Sequence, residues 1–332
     1  MKKIFITDYF NESKIEKNIF GKSFQIICLN SKNENDFPNI ISDADGLLVW
    51  HSNISEKTLI KLKHCKAIVR YGVGYDNIDI KCAKKHNIIC MNTPDYGTDE
   101  VADTAAAMIL SLTRKIQFYN NTSKNYKKGW QENVLKDNID DPIRRTDNYT
   151  LGILGLGRIG SALALRLKNF GFNIGYFDPY LPLGYEKVIG IKKFKSLNEL
   201  VKKSDIISIN SLLTPETESL VNKKFISKMR NRSFLVNTAR GAIINKLDDI
   251  YYGLKSGKLS GVGLDVLPEE PPRKNEKLIK SWLNKNDSIN KKIIINPHAG
   301  YYSSKSVIEM RVKASENLKA VILHNKIVNK IN

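Results

Sequence analysis

Three side chains of complementary chemistry each stand just past a short apolar run. His298 follows Ile293 to Ile295, Glu270 follows Gly263-Leu-Asp-Val-Leu-Pro268, and Arg240 follows Phe234-Leu-Val-Asn-Thr-Ala239. If those runs are parallel strands, their carboxyl ends share the edge where open α/β sheets bind ligands. An imidazole titrates near neutrality and can exchange a proton with a hydroxyl group. A carboxylate on its second nitrogen fixes the tautomer and favours the imidazolium. A guanidinium offers a planar fork to a carboxylate and polarises a neighbouring carbonyl. Together the three suit oxidation of a secondary alcohol, or its reverse. Singly each has an ordinary alternative: an ion pair between domains for Arg240, a loop charge for Glu270, a cap for His298.

Such an oxidation needs a hydride acceptor, and a second pattern supplies its cradle. Gly155-x-Gly157-x-x-Gly160 lies where the run Leu151 to Leu154 would end as a strand and a helix, 158 to 170, would begin. Glycines there permit a tight turn, close backbone approach to a pyrophosphate and close helix packing, and the helix N-terminus favours the anion. Ile159, Leu163, Leu167 and Phe170 would face the sheet, with Gly171 as the stop. The next strand candidate ends at Asp178, an acid placed to bind ribose hydroxyls and repel a 2′-phosphate. The spacing therefore favours NAD over NADP.

Elements must position these groups, and apolar runs alternate with amphipathic stretches along the whole chain, the rhythm of parallel sheets covered by helices. Strands are expected at 3–6, 25–29, 46–50, 67–71 and 88–91, then at 151–154, 173–177, 206–210, 234–237, 262–267 and 293–295. Helices are expected at 55–63 and 78–85, over about 100–120 after Thr98, and over 304–324. Residues 121–149 read as a polar connector and 273–292 as a surface excursion.

The 332 residues allow two domains, and the formal net charge is +19. That excess is scattered lysine without aromatic interleaving, so a solvated surface is expected and no nucleic-acid partner. No apolar run has the roughly 20 residues of a membrane span, and the apolar start is too short for a signal peptide. Cys28, Cys65, Cys82 and Cys90 lack CxxC spacing, and the histidines lack metal-ligand spacing. Reduced thiols, a cytoplasmic location and no metal site are expected.

These motifs, with Arg70-Tyr-Gly-Val-Gly-Tyr-Asp-Asn-Ile-Asp79, Asn92-Thr-Pro94, Glu100-Val-Ala-Asp-Thr104, Asn237-Thr-Ala-Arg-Gly241, Leu264-Asp-Val266, Glu270-Pro271 and Pro297-His-Ala299, follow one another as in a known family. Over almost its whole length the chain resembles the D-isomer-specific 2-hydroxyacid dehydrogenases. Phe177-Asp-Pro-Tyr180 and Tyr302-Ser303 are most similar to the C-terminal binding protein branch, although Tyr301 stands where that branch has Trp.

The resemblance implies an α/β fold of two doubly wound domains. A Rossmann NAD-binding domain (100–298) would be inserted in a split flavodoxin-like substrate domain (1–99 and 299–332). It implies that Arg240 orients substrate, that Glu270 rather than Glu269 pairs with His298 as acid/base, and that Asp265 holds the nicotinamide carboxamide. Arg158 and Ile159 would lie beside the pyrophosphate, with Thr104, Leu212, Thr217 and Ala239 as lesser cofactor contacts. Val73 and Gly74 would receive the substrate carboxylate near Arg70, and Tyr301 would line the pocket. A homodimer is expected, and the short stretch after His298 is expected to leave no room for a regulatory domain. Two other readings stay open: an NAD(H)-sensing, corepressor-like interaction protein, and a phosphoglycerate dehydrogenase.

Overall fold

In the computed structural model, residues 1–8, 12–124 and 142–332 are described. Most of the expected connector, 125–141, lies outside them. The chain divides into two compact units, Met1–Gly97 with Tyr302–Asn332, and Thr98–Tyr301. Their borders fall at 97/98 and 301/302, against the 99/100 and 298/299 expected, because a helix starts at Thr98 and the Gly300 amide is bound to Asp265.

The first unit is a parallel sheet of β1 (Lys2–Ile6), β2 (Phe24–Cys28), β3 (Gly46–Val49), β4 (Ala67–Arg70) and β5 (Ile89–Met91), in the order β2-β1-β3-β4-β5. Its central strands read as unbroken apolar runs because helices cover both faces. Ile4, Phe5, Leu47, Leu48, Ile68 and Val69 are fully buried. The helix Ser304–His324 belongs to this unit and opens with a reciprocal Ser303/Ser306 capping box. The helix expected over 55–63 shortens to Glu56–Leu59.

The second unit holds β6 (Thr150–Leu154), β7 (Asn173–Phe177), β8 (Lys192–Lys193), β9 (Ile206–Ile209), β10 (Ser233–Asn237), β11 (Leu259–Leu264) and β12 (Ile293–Ile295). All pairings are parallel, in the order β12-β11-β10-β9-β6-β7-β8. Strand order reverses between β6 and β9, the place where a doubly wound sheet opens a crevice for a dinucleotide.

Three expectations need correction. The helix expected over 100–120 is two: Thr98–Thr113 and Ile116–Thr122, separated by Lys115 at φ +54°. At the end of the first, the Thr113 hydroxyl donates back to Ile109 O at 2.8 Å, a bond that competes with the helical ladder. In the helix Arg158–Asn169, Phe170 does not face the sheet; it caps the last turn, 54% exposed, and Ala164 joins Leu163 and Leu167 in the core.

The stretch 273–292 is more than a surface excursion. It contains the helix Lys277–Leu283, whose Leu278 and Ile279 enter the core with Ile289. Its return is tied by Asp287, which accepts from Lys255 Nζ and Ser281 Oγ, each at 2.8 Å, and from Ile289 N at 3.0 Å. Led by the Lys255 bond, these contacts hold the Asp287 carboxyl down at about 2. Its stabilisation is therefore complete above pH 3.8, the ordinary value, and is lost as pH falls through about 2. Asp287→Asn should lower Tm by about 2–4 °C at pH 7. The difference from the parent should close as thermal melts are repeated toward pH 2; a constant difference would reject the assignment.

Candidate active site

At the crevice the glycine turn has the shape its spacing suggests. Gly155 has φ +86°, and a Cβ there would lie 2.8 Å from the backbone of Ser211, just past β9. A Cβ at Gly160 would stand 2.2 Å from Gly155 O, so the helix packs directly on the turn. At Gly157 a Cβ meets nothing within 4 Å. The space above the helix N-terminus is open, as a pyrophosphate requires. Arg158 is exposed and Ile159 half-buried at this helix start.

Asp178, one residue past β7, accepts from Leu156 N and Tyr180 N, both at 3.0 Å. It braces the turn and keeps further lone pairs for ribose hydroxyls. Residues present therefore fit an adenine dinucleotide.

Further along the same edge, β10 ends at Asn237, whose side chain accepts from Ala239 N at 3.0 Å and donates to Arg240 O at 2.9 Å. That turn presents Arg240, whose Nη1 donates to Ala239 O at 2.9 Å. A Cβ at Gly241 would sit 1.9 Å from Leu267 O, so only glycine lets the β10 and β11 turns pass in contact. Glu270 Oε1 accepts from Leu267 N at 2.9 Å, and Oε2 meets His298 Nδ1 at 2.8 Å. Glu269 instead pairs with Arg273.

Burial works to raise the Glu270 carboxyl, but the His298 bond and charge, the Leu267 amide and Arg240 together hold it below its ordinary value. It stays ionised at neutral pH, and the imidazole keeps Nε2 for another partner. The Tyr301 ring lies edge-on to His298 with centroids 6.5 Å apart.

Asp265, the residue expected to hold the nicotinamide carboxamide, also has a place within the protein. Its carboxylate accepts from Ala299 N at 3.1 Å and from Gly300 N at 2.9 and 3.0 Å, and its own carbonyl accepts from His298 N at 2.8 Å. It clamps the loop that carries the histidine, in a conformation where His298 has φ +55°. Burial raises the Asp265 carboxyl, against those amides. Thr104 is likewise turned to this loop, donating to Gly300 O at 3.3 Å. Leu212 is 53% exposed past β9, and Thr217 donates to its carbonyl at 2.6 Å.

In the first unit, Arg70 ends β4, and Val73 and Gly74 follow in the next turn. Sequence reasoning missed their neighbours on the same edge. Asp8, past β1, accepts from Trp50 N at 3.1 Å and His51 N at 2.6 Å, past β3. Strand order reverses between β1 and β3, so applying the same strand-end rule to the first runs would have found them.

Substituting the second and third glycines separates cradle from packing. Gly157→Ala should leave Tm within about 1 °C yet weaken NADH at least about tenfold in a fluorescence titration. Gly160→Ala should lower Tm by several degrees, roughly 1–3 kcal/mol of overpacking. Equal NADH affinity in the parent and Gly157→Ala would place the dinucleotide elsewhere.

Comparisons with known proteins agree with this geometry. Residues 106–300 match the family described as D-isomer specific 2-hydroxyacid dehydrogenase, NAD binding domain. The D-3-phosphoglycerate dehydrogenase of Methanocaldococcus jannaschii is 30% identical over 100% of this chain and 60% of its own length. That of Bacillus subtilis is 32% identical over 96% of this chain and 56% of its own. The chain thus spans somewhat over half the length of these curated relatives. The crystal structure of D-lactate dehydrogenase from Aquifex aeolicus, complexed with NAD and lactic acid, superposes with a TM-score of 0.85 at 27% identity, covering 99% of this chain and 100% of that one. With residues 106–300 matching its NAD binding domain, the chain belongs to the D-isomer specific 2-hydroxyacid dehydrogenase family, and its cofactor is NAD.

Proposed function

We propose that the protein is an NAD-dependent oxidoreductase that interconverts a 2-oxo acid and the D-2-hydroxy acid. The observation that carries this reading is the 2.8 Å contact of His298 Nδ1 with the ionised Glu270, on the strand-end edge that also bears the glycine turn. NAD, held by Gly155, Gly157, Gly160 and Asp178, supplies a hydride acceptor or donor. His298 Nε2 takes the hydroxyl proton during oxidation and returns it to the carbonyl oxygen during reduction. Glu270 stabilises the imidazolium in either direction, while Arg240 engages the carboxylate and polarises the carbonyl. By family resemblance the turn with Arg70, Val73 and Gly74 is assigned to binding a substrate carboxylate, and Tyr301 to a place beside the substrate side chain.

The names of the two curated relatives favour one substrate in particular, D-3-phosphoglycerate, whose 2-oxo partner is phosphohydroxypyruvate. A scattered excess of lysine would assist encounter with such an anion.

Steady-state assays with NADH and a panel of pyruvate, glyoxylate and phosphohydroxypyruvate, extended to bulkier 2-oxo acids, test the reaction. Absence of NADH oxidation with every acid would sink it. His298→Asn should lower kcat by about 10²–10⁴-fold with NADH affinity preserved. Arg240→Lys should raise KM for the acid about tenfold or more, since an ammonium cannot reproduce the bidentate fork. A His298→Asn variant as fast as the parent would assign the proton transfer to another group.

A further inference from the structure

The first unit buries a carboxylate that the proposed chemistry does not use. Glu16, in the helix Lys14–Phe20, is wholly buried, and a carboxylate out of water persists only where partners meet both oxygens. Arg311, from the helix Ser304–His324, donates from Nε to Oε1 at 2.8 Å and from Nη2 to Oε2 at 2.6 Å. It also reaches Glu12 through Nη1, at 2.6 Å. The third partner of Glu16 is Tyr71, whose hydroxyl donates to Oε1 at 2.9 Å. Burial, with the charge of Glu16, pushes the Tyr71 phenol well above its ordinary value, so it remains a donor.

Tyr71 is the first residue past β4, between Arg70 and Gly72-Val73-Gly74. Its own amide donates to Val49 O at 2.7 Å. Gly72 N donates to Thr93 Oγ1 at 2.6 Å, Thr93 N donates to Gly72 O at 3.0 Å, and Asn92 Nδ2 donates to Val73 O at 2.6 Å. Bonds from Asn92 and Thr93 thus hold one side of the turn, and the wholly buried Tyr71 side chain holds it from beneath. A bidentate Arg-carboxylate pair is a stiff base for such a strut, because its planar fork fixes both oxygens in direction as well as distance.

We infer that the Glu16–Arg311 pair is a positioning device for acid binding, acting through the Tyr71 hydroxyl to hold the Arg70–Gly74 turn in its receiving conformation. The inference rests on the carboxylate role proposed for that turn. Tyr71 is here a positioning residue, with no contact to the reacting atoms. The competing role is plain cement between the two helices and the sheet, which the Glu16–Arg311 bonds supply without any tyrosine hydroxyl.

Tyr71→Phe separates the two, since it keeps the ring and the Glu16–Arg311 pair and removes the hydroxyl that bonds Glu16. KM for the 2-oxo acid should rise about 5–20-fold, with kcat and NADH affinity within about twofold of the parent. Amide exchange should accelerate over residues 72–76. A parent that reduces no 2-oxo acid would sink the carboxylate role of the turn and this inference with it. An active parent whose KM and amide exchange ignore Tyr71→Phe would sink the positioning role alone, even if Tm fell.

Discussion

The polar edge of the second unit is organised around the buried carboxylate of Asp265. Its backbone joins β11 to β10 through the 3.0 Å bond from its amide to Asn237 O, and to the histidine loop through His298 N. Its side chain then takes the amides of Ala299 and Gly300. Low dielectric makes each of these bonds strong and makes an unmet carboxylate costly, so the loop is held in one conformation. His298 occupies a left-handed backbone conformation that a β-carbon disfavours. It keeps that geometry because the surrounding bonds over-determine it.

Both units use the same device. Parallel strands run apolar through the middle and deliver polar groups at their carboxyl ends, where main-chain amides no longer have a sheet partner. In the second unit those groups are the glycine turn, Arg240, Glu270 and His298; in the first they are Asp8, the Trp50-His51 pair and the turn after Arg70. Burial tends to raise Asp8, and the His51, Thr7 and Trp50 hydrogen bonds bring it below the ordinary carboxylate value. It is thus an ionised brace for the loop past β3.

The opposite, amino edge of the second sheet gathers several basic side chains. A cavity of about 870 Å³ there is lined by Lys168, Lys192, Lys202, Lys203 and Arg230. Lys168 donates to Ile189 O, Lys203 pairs with Glu199, Arg230 pairs with Asp205, and Lys192 lies over the Phe194 ring. Four of these five cations thus have partners within the protein.

Much of this was legible in the amino-acid order alone. Unbroken apolar runs marked the strands, the glycine spacing and Asp178 marked the cradle, and the strand-end rule singled out Arg240, Glu270 and His298 across some sixty residues of sequence. These signals are local in sequence or follow from strand direction. The two-helix break at Lys115 and the core role of Leu278 and Ile279 were not legible, because a single residue in the left-handed region and the packing of a short helix carry them. Nor could the sequence assign Asp265 to the histidine loop, or join Glu16, Tyr71 and Arg311. Those contacts unite residues far apart in the chain, and which acceptor a buried charge meets is settled only when packing has removed every alternative, water included.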